Sequence, residues 1–229
     1  HPRILFKGKR ELGKDVVRLE DVSMSYDGKT TVLRKMNFFF TAGEKVAIIG
    51  PSGVGKTTLM QIMAGKLKPS TGAVHWGVTT TRSYCPQDVK AELRKGMTLT
   101  HWLHDQHPGM DLNSIRGVLG RMLFSGEDGD KETQVLSGGE GVRLMLSKMM
   151  LDEGNVLLLD EPTSHLDLES IESLNDAIKQ FQGTAFFVTH DREFISSVAN
   201  RILEILPGGE IVDYQGTYED YLRYGQKKQ

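Results

Sequence analysis

The spacing of apolar residues changes several times along this chain, and each change marks an element. From Val16 a strand pattern reaches Tyr26, Asp27-Gly28 signals a turn, and Met36, Phe38 and Phe40 then share one face. This predicts an antiparallel hairpin region. Val46, Ile48 and Ile49 form a short β-branched run that breaks at Gly50, after which Leu59, Ile62, Met63 and Leu67 recur at helical spacing until Pro69-Ser70-Thr71-Gly72 ends the helix. Ala73 to Trp76 and Arg82 to Cys85 read as short strands. The character then changes. Ile115, Val118, Leu119, Met122 and Leu123 stand at i, i+3, i+4, i+7 and i+8, which predicts an amphipathic helix in a mainly helical section, with Gly126 to Thr133 as the loop returning to the core. Ser137 and Glu140 form a capping-box pattern ahead of Val142, Met145, Leu146 and Met149. Val156 to Leu159 and Ala185 to Val188 are continuous apolar runs, as strands of a parallel sheet covered on both faces require. Between them Asp167 opens a helix with Ile171, Leu174, Ile178 and Phe181 on its apolar face. Arg201 to Leu206, Gly208-Gly209 and Glu210 to Tyr214 read as strand, turn and strand, and Thr217 caps a final helix on which Tyr218, Tyr221 and Tyr224 form a packing stripe.

Composition narrows the function classes. A chain of 229 residues with 38% apolar and 25% charged residues can bury a substantial core as one large domain or two small ones. The formal net charge of −2 leaves no global field toward nucleic acid or membrane, so any such contact is a local patch. One patch stands out: residues 1–14 carry Arg3, Lys7, Lys9, Arg10 and Lys14 against the single acid Glu11, which reads either as the end of a basic linker touching a phosphate backbone or as a solvated tail. Cys85 is the single cysteine, excludes an internal disulfide and reads as an inert, half-buried thiol. Apolar runs fall short of the ~20 residues that span a bilayer and no signal-peptide pattern follows His1, so a cytoplasmic protein without direct membrane insertion is expected. His101, His104 and His107 share one side of a helix, but neither cysteines nor a carboxylate cluster accompany them, which favours a half-exposed face over a zinc site.

Three places carry chemistry. Gly50 to Thr57 matches the phosphate-loop spacing G-x-x-x-x-G-K-[ST] between a strand and a helix. Gly50, Gly53 and Gly55 free the backbone to wrap a polyphosphate, Lys56 supplies a charge, the Thr57 hydroxyl suits Mg²⁺, and the helix start adds its positive end. Asp160-Glu161 follow one buried strand and Thr189-His190-Asp191 the other, at the sheet edge where open α/β folds bind ligands. There Asp160 is placed to hold Mg²⁺, Glu161 to orient or deprotonate a water, and His190 to donate to a phosphate oxygen. Gly138, Gly139 and Gly141 crowd the start of a helix at about 1 kcal/mol each, which is expected where a ligand needs bare backbone.

Taken in order, these motifs resemble an ATP-binding cassette (ABC) nucleotide-binding domain over nearly the whole chain. The resemblance implies an α/β fold: an ABC-type P-loop ATPase core with a mainly parallel sheet, an N-terminal antiparallel β subdomain and a small helical subdomain. Its parts would fall at 1–14 (linker end), 15–86 (antiparallel β region and Walker A part), 87–150 (helical subdomain with signature) and 151–229 (Walker B and switch part). It implies that Tyr26 stacks on adenine, that Gly50, Ser52, Gly53, Gly55, Lys56, Thr57 and Thr58 bind ATP, and that Thr57, Gln87 and Asp160 hold Mg²⁺. It makes Glu161, His190 and Gln87 catalytic, and Asp167 part of a D-loop beginning at Ser164. Ser137, Gly138, Gly139 and Glu140 become the signature that closes over the ATP of a second, head-to-tail cassette, so a lone cassette would be a weak Mg²⁺-dependent ATPase. EPTSHLDLESIESLN from Glu161, the Thr189–Phe194 run, the closing DYQGTYEDYL and the short helical section are similar to the ABC-F branch, whose members associate with ribosomes. The basic start and the residues Leu123–Glu140 are similar to second cassettes. The implied partners are therefore another cassette and, in the full protein, ribosomal RNA, with the ATPase subunit of an ABC transporter as the alternative. Two residues depart from the ABC-F pattern: Gly141 stands where Lys is usual and Ser164 where Asn is usual. Gly141 is expected to loosen the signature helix.

Overall fold

A computed structural model describes residues 1–225 of the chain. The first half runs β1 (Asp15–Met24), β2 (Leu33–Thr41), β3 (Lys45–Ile49), α1 (Lys56–Met63), β4 (Thr71–Trp76) and β5 (Arg82–Cys85). The helical section holds α2 (Val89–Glu92), α3 (Leu99–Gln106), α4 (Leu112–Arg121) and α5 (Gly138–Asp152). The chain then returns through β6 (Val156–Asp160), α6 (Leu168–Gln180), β7 (Thr184–Val188), α7 (Arg192–Val198), β8 (Arg201–Ile205), β9 (Ile211–Gln215) and α8 (Tyr218–Asp220).

Two sheets result. β2, β1 and β4 form an antiparallel sheet in that order, so the predicted hairpin gains a third strand from beyond the phosphate loop. The larger sheet has the order β5-β6-β7-β3-β8-β9, parallel except for the β8–β9 hairpin. The apolar runs of the central strands divide by alternation between two layers. Val46, Ile48, Val156, Leu158, Phe186 and Val188 join one core with the antiparallel sheet and α1. Ala47, Leu157, Leu159, Ala185 and Phe187 join the other with α5, α6, α7 and the helical section. Burial on both faces explains why these strands read as unbroken apolar stretches.

Buried polar groups lock the layers. Arg201 ion-pairs with Glu44 at 3.1 Å and Asp213 at 2.7 Å, donates to Phe39 O, and lies 4.2 Å from the Phe40 ring centroid. Asp152, ending α5, accepts from Ser83 Oγ at 2.6 Å, pairs with His107 Nε2 at 2.8 Å and with Lys148 Nζ at 2.9 Å. One carboxylate thus joins β5, the end of α3 and α5. His107 is accounted for by this pairing. Asn155 donates its amide to Thr79 O and Arg10 O, accepts from Thr81 N at 2.7 Å, and gives its own N–H to Thr81 Oγ1.

Three expectations are corrected. Leu123 leaves the apolar stripe of α4: it sits at φ 67° and is 50% exposed. The helix stops at Arg121, the N–H groups of Met122, Leu123 and Phe124 fold back onto the carbonyls of the last turn, and Phe124 takes the core position instead. Tyr224 is also outside its stripe, 59% exposed, because Tyr221–Gly225 winds as a π-helix whose wider turn carries position i+6 away from i and i+3. Tyr218 and Tyr221 do stack, at 6.0 Å between centroids.

The third correction concerns the solvated-tail reading of residues 1–14, which form a docked strap. Pro2 and Phe6 are buried. Arg3 N donates to Arg121 O, Lys9 N to Glu153 O, and the Phe6 ring meets Phe181 edge-on at 6.4 Å. The strap binds through its backbone and apolar side chains, leaving Arg3, Lys7, Lys9, Arg10 and Lys14 exposed.

Candidate functional site

Four neighbouring strands of the large sheet end at the same edge, and each delivers one candidate group. Gln87 follows β5, Asp160-Glu161 close β6, Thr189-His190 follow β7, and the phosphate loop follows β3. Residues distant in sequence meet because these strands are adjacent in space.

The loop conformation depends on glycine. Gly50 at φ 147° and Gly55 at φ 125° occupy backbone regions closed to most side chains, and a Cβ would lie 2.6 Å from Ile205 O at the first and 2.8 Å from Val32 Cγ1 at the second. Gly53 turns at φ 76° and Ser52 is exposed at the loop surface. Lys56 Nζ is drawn inward, donating to Gly50 O and, at 3.1 Å, to Pro51 O. Burial lowers its pKa, and the charges of Glu161 and Asp160 oppose that shift. Tyr26 is 62% exposed while its hydroxyl meets Thr58 Oγ1 at 2.8 Å, which presents the ring beside the loop helix.

A hydrogen-bonded row crosses the site. Thr57 Oγ1 donates to Gln87 Oε1 at 3.1 Å, Gln87 Nε2 to Glu161 Oε2 at 3.4 Å, and His190 Nε2 stands 3.0 Å from Glu161 Oε1. Glu161 itself adopts φ 49°, a left-handed conformation costly for a residue with a Cβ, and its N–H donates to Val188 O at 2.8 Å. Backbone strain at this carboxylate marks a position whose aim is fixed by its surroundings.

Asp160 is the exception to satisfied pairing. Both of its carboxylate oxygens are buried without a hydrogen-bond partner among the described residues. Burial pushes its pKa up to about 6, the neighbouring Glu161 charge adding to the rise and the Lys56 charge opposing it. An orphaned carboxylate is costly unless something binds there. With the Thr57 hydroxyl and the Gln87 amide oxygen it makes an all-oxygen donor set, the kind a hard divalent cation takes. The set therefore fits Mg²⁺.

The signature residues are built separately. Ser137 caps α5 in a complete capping box: Glu140 N donates to Ser137 Oγ at 3.1 Å and Ser137 N to Glu140 Oε1 at 3.0 Å. A Cβ on Gly138 would stand 2.9 Å from the His165 ring and one on Gly139 2.5 Å from His165 O. Close packing against the Ser164–Asp167 loop thus supplies a reason within the chain for these two glycines, beside the ligand reason read from sequence. Gly141 differs: its nearest neighbour would be Val89 Cγ1 at an ordinary 3.6 Å. Asp167 caps α6 by accepting from Ser170 N at 2.9 Å, and Ser164 Oγ donates to Glu161 O, tying this loop to the catalytic-carboxylate candidate. Sequence reasoning did not identify His165 as the packing partner, since nothing in its own spacing signals a glycine contact. Cys85 is fully buried rather than half-buried as expected, and burial pushes its thiol up to about 12, which keeps it inert.

With phosphate loop, paired carboxylates, histidine and capped glycine helix arranged on this fold, the match of residues 33–164 to the family profile described as ABC transporter is decisive. The chain belongs to the ABC transporter family. As an ATP-binding cassette it is 42% identical over 224 residues to the probable ATP-binding protein YbiT of Escherichia coli O157:H7, covering 97% of this chain and 42% of the relative. It is 36% identical over 225 residues to the energy-dependent translational throttle protein EttA of Haemophilus influenzae, covering 94% of this chain and 39% of that protein. The cassette therefore spans less than half the length of these relatives. Its fold superimposes on a dimeric, post-hydrolysis structure of the ATP-binding cassette MJ0796 bound to ADP and Pi, with a TM-score of 0.75 at 23% identity, covering 87% of this chain and 98% of the other. Among the described residues no helix is long and apolar enough to cross a membrane.

Proposed function

We propose that this cassette hydrolyses ATP as one half of an ABC-F protein, closing head to tail on a second cassette and acting on the ribosome. The observation that carries the hydrolytic part is the row Thr57–Gln87–Glu161–His190 beside the orphaned Asp160. In this reading Lys56 and the loop N–H groups hold the β- and γ-phosphates, Tyr26 covers the adenine, and Thr57, Gln87 and Asp160 hold Mg²⁺. Bound there, the metal neutralises charge on the phosphate oxygens. Glu161 orients the attacking water and accepts its proton, and His190 holds Glu161 while donating to the phosphate. Ser137 and Glu140 bond to each other, leaving the glycine turn between them to face a triphosphate held by the other cassette. Closure then depends on ATP as the bridge, and hydrolysis removes it.

The ribosomal part is supported by the ABC-F-like motifs and by likeness to a relative whose name describes translational control. Its test uses the full-length protein with Glu161→Gln. Turnover is expected to fall by about 100-fold or more while ATP binding persists. Cosedimentation with ribosomes in ATP is expected to rise. A variant that binds ATP but neither pairs its cassettes nor sediments more with ribosomes refutes the gating mechanism.

A further inference from the structure

The end of α4 inverts the residues that its geometry asks for. Phe124 N donates to Leu119 O at 2.9 Å and Leu123 N to Gly120 O at 3.1 Å, a complete Schellman turn with Leu123 in its left-handed position. Glycine suits that position, and a leucine there carries strain. Within the last turn of the helix the reverse holds: a Cβ on Gly120 would find nothing within 4 Å, so no neighbour demands glycine and the helix is weaker for it. Neither residue serves the helix. Both line one cavity of about 440 Å³, together with Arg116, Leu119, Phe124 and Gly126. Local rules broken twice around one cavity point to a purpose other than folding.

We propose that this cavity binds an aliphatic monocarboxylate, its chain against Leu119, Leu123 and Phe124 and its carboxylate on Arg116. Two hydroxyls of the lining are already engaged: Thr100 Oγ1 donates to Gly129 O at 3.0 Å and Ser125 Oγ to Asp128 Oδ2 at 2.7 Å. Arg116 is the one charged residue of the lining and has no ion-pair partner among the described residues. It precedes Leu119 and Gly120 by three and four positions on α4, so its guanidinium rises from the face that floors the cavity. A guanidinium holds a carboxylate through two parallel N–H donors. The acids Glu127, Asp128 and Asp130 of the following loop are not part of the lining, and Asp128 is engaged by Lys131 at 2.6 Å. Apolar walls and one free cation therefore call for a ligand with an apolar body and a single anionic head. The volume lies in the range of roughly 300–1,000 Å³ that holds whole small molecules, which favours a chain over one inserted side chain. Bare Gly120 deepens the floor for that chain, and half-exposed Leu123 walls the mouth.

The experiment is equilibrium dialysis of radiolabelled decanoate, below its micellar range, against the chain. One saturable site is expected, with hexanoate at least about tenfold weaker as a competitor because its chain is shorter. Arg116→Gln is expected to weaken decanoate by about tenfold and to leave competition by the uncharged decanol unchanged. Gly120→Ala and Leu123→Gly are each expected to weaken decanoate by about tenfold while raising the denaturation midpoint, an opposition of sign that a packing role does not produce. Absence of saturable binding, hexanoate equal to decanoate, or an Arg116→Gln variant that loses decanol as much as decanoate overturns the proposal. So does a Gly120→Ala or Leu123→Gly variant that is less stable or that binds decanoate undiminished. Tighter binding of N-acetylleucine than of decanoate assigns the cavity to the end of a peptide and overturns it as well.

Discussion

Lys45 places an ammonium group at the amino end of β3, where its Nζ donates to Gly183 O at 2.7 Å and lies 5.6 Å from the Phe181 ring centroid. Burial pulls its pKa from 10.5 down to about 8. The unfolded chain keeps that proton up to the ordinary value, whereas the folded chain gives it up at about 8. The penalty is therefore full below about 8 and fades as pH climbs toward 10.5, so stability from this group rises with pH. Reduced for the part of the site open to water, the effect is about 1–2 kcal/mol. Denaturant titrations at about pH 7 and about pH 10 should show this rise in the unaltered chain and its loss in Lys45→Met, the difference between the two proteins being the readout.

At the level of elements, α5 separates two kinds of glycine that look alike in the sequence. Gly139→Ala drives a methyl group into His165 O and is expected to destabilise by about 1–3 kcal/mol. Gly141→Ala meets only Val89 Cγ1 at 3.6 Å, inside a helix, and is expected to stabilise by up to about 1 kcal/mol. Denaturation of the two variants side by side checks both signs. Packing thus does not require the departure at Gly141, whereas Gly138 and Gly139 let α5 lie close against His165. The same limit governs what else was legible. Strand and helix assignments followed from period, and the phosphate loop, Asp160-Glu161 and His190 from motif and position, because each is local. The end of α4 was misread because Leu123 and Phe124 are both apolar and only the folded-back N–H groups choose between them.

For the whole molecule, the strap of residues 1–14 connects parts that the sheet order keeps apart. It touches the end of α4 at Arg121, α5 at Met150 and the loop before β6 at Asn155, and Phe6 completes the core against Phe181. Phe6→Ala is expected to cost about 3 kcal/mol. Limited trypsin digestion offers a second readout, because Lys7, Lys9 and Arg10 are exposed on a backbone that the Phe6 ring helps to hold down. Cleavage there should become faster than in the unaltered chain.

The bonds of Asn155 have a consequence beyond local satisfaction. β6 is Val156-Leu157-Leu158-Leu159-Asp160, and a slip of one residue would still put apolar side chains on both faces. A strand of this kind carries no address of its own. Asn155 writes one: its amide is read by Thr79, Thr81 and Arg10, while its carbonyl oxygen accepts from Thr184 N in the neighbouring strand. Five residues on, roughly 17 Å away along the strand, that address determines where Asp160 and Glu161 arrive. The aim of Asp160 and Glu161 is thus set at the far edge of the sheet, by an amide that never comes near them.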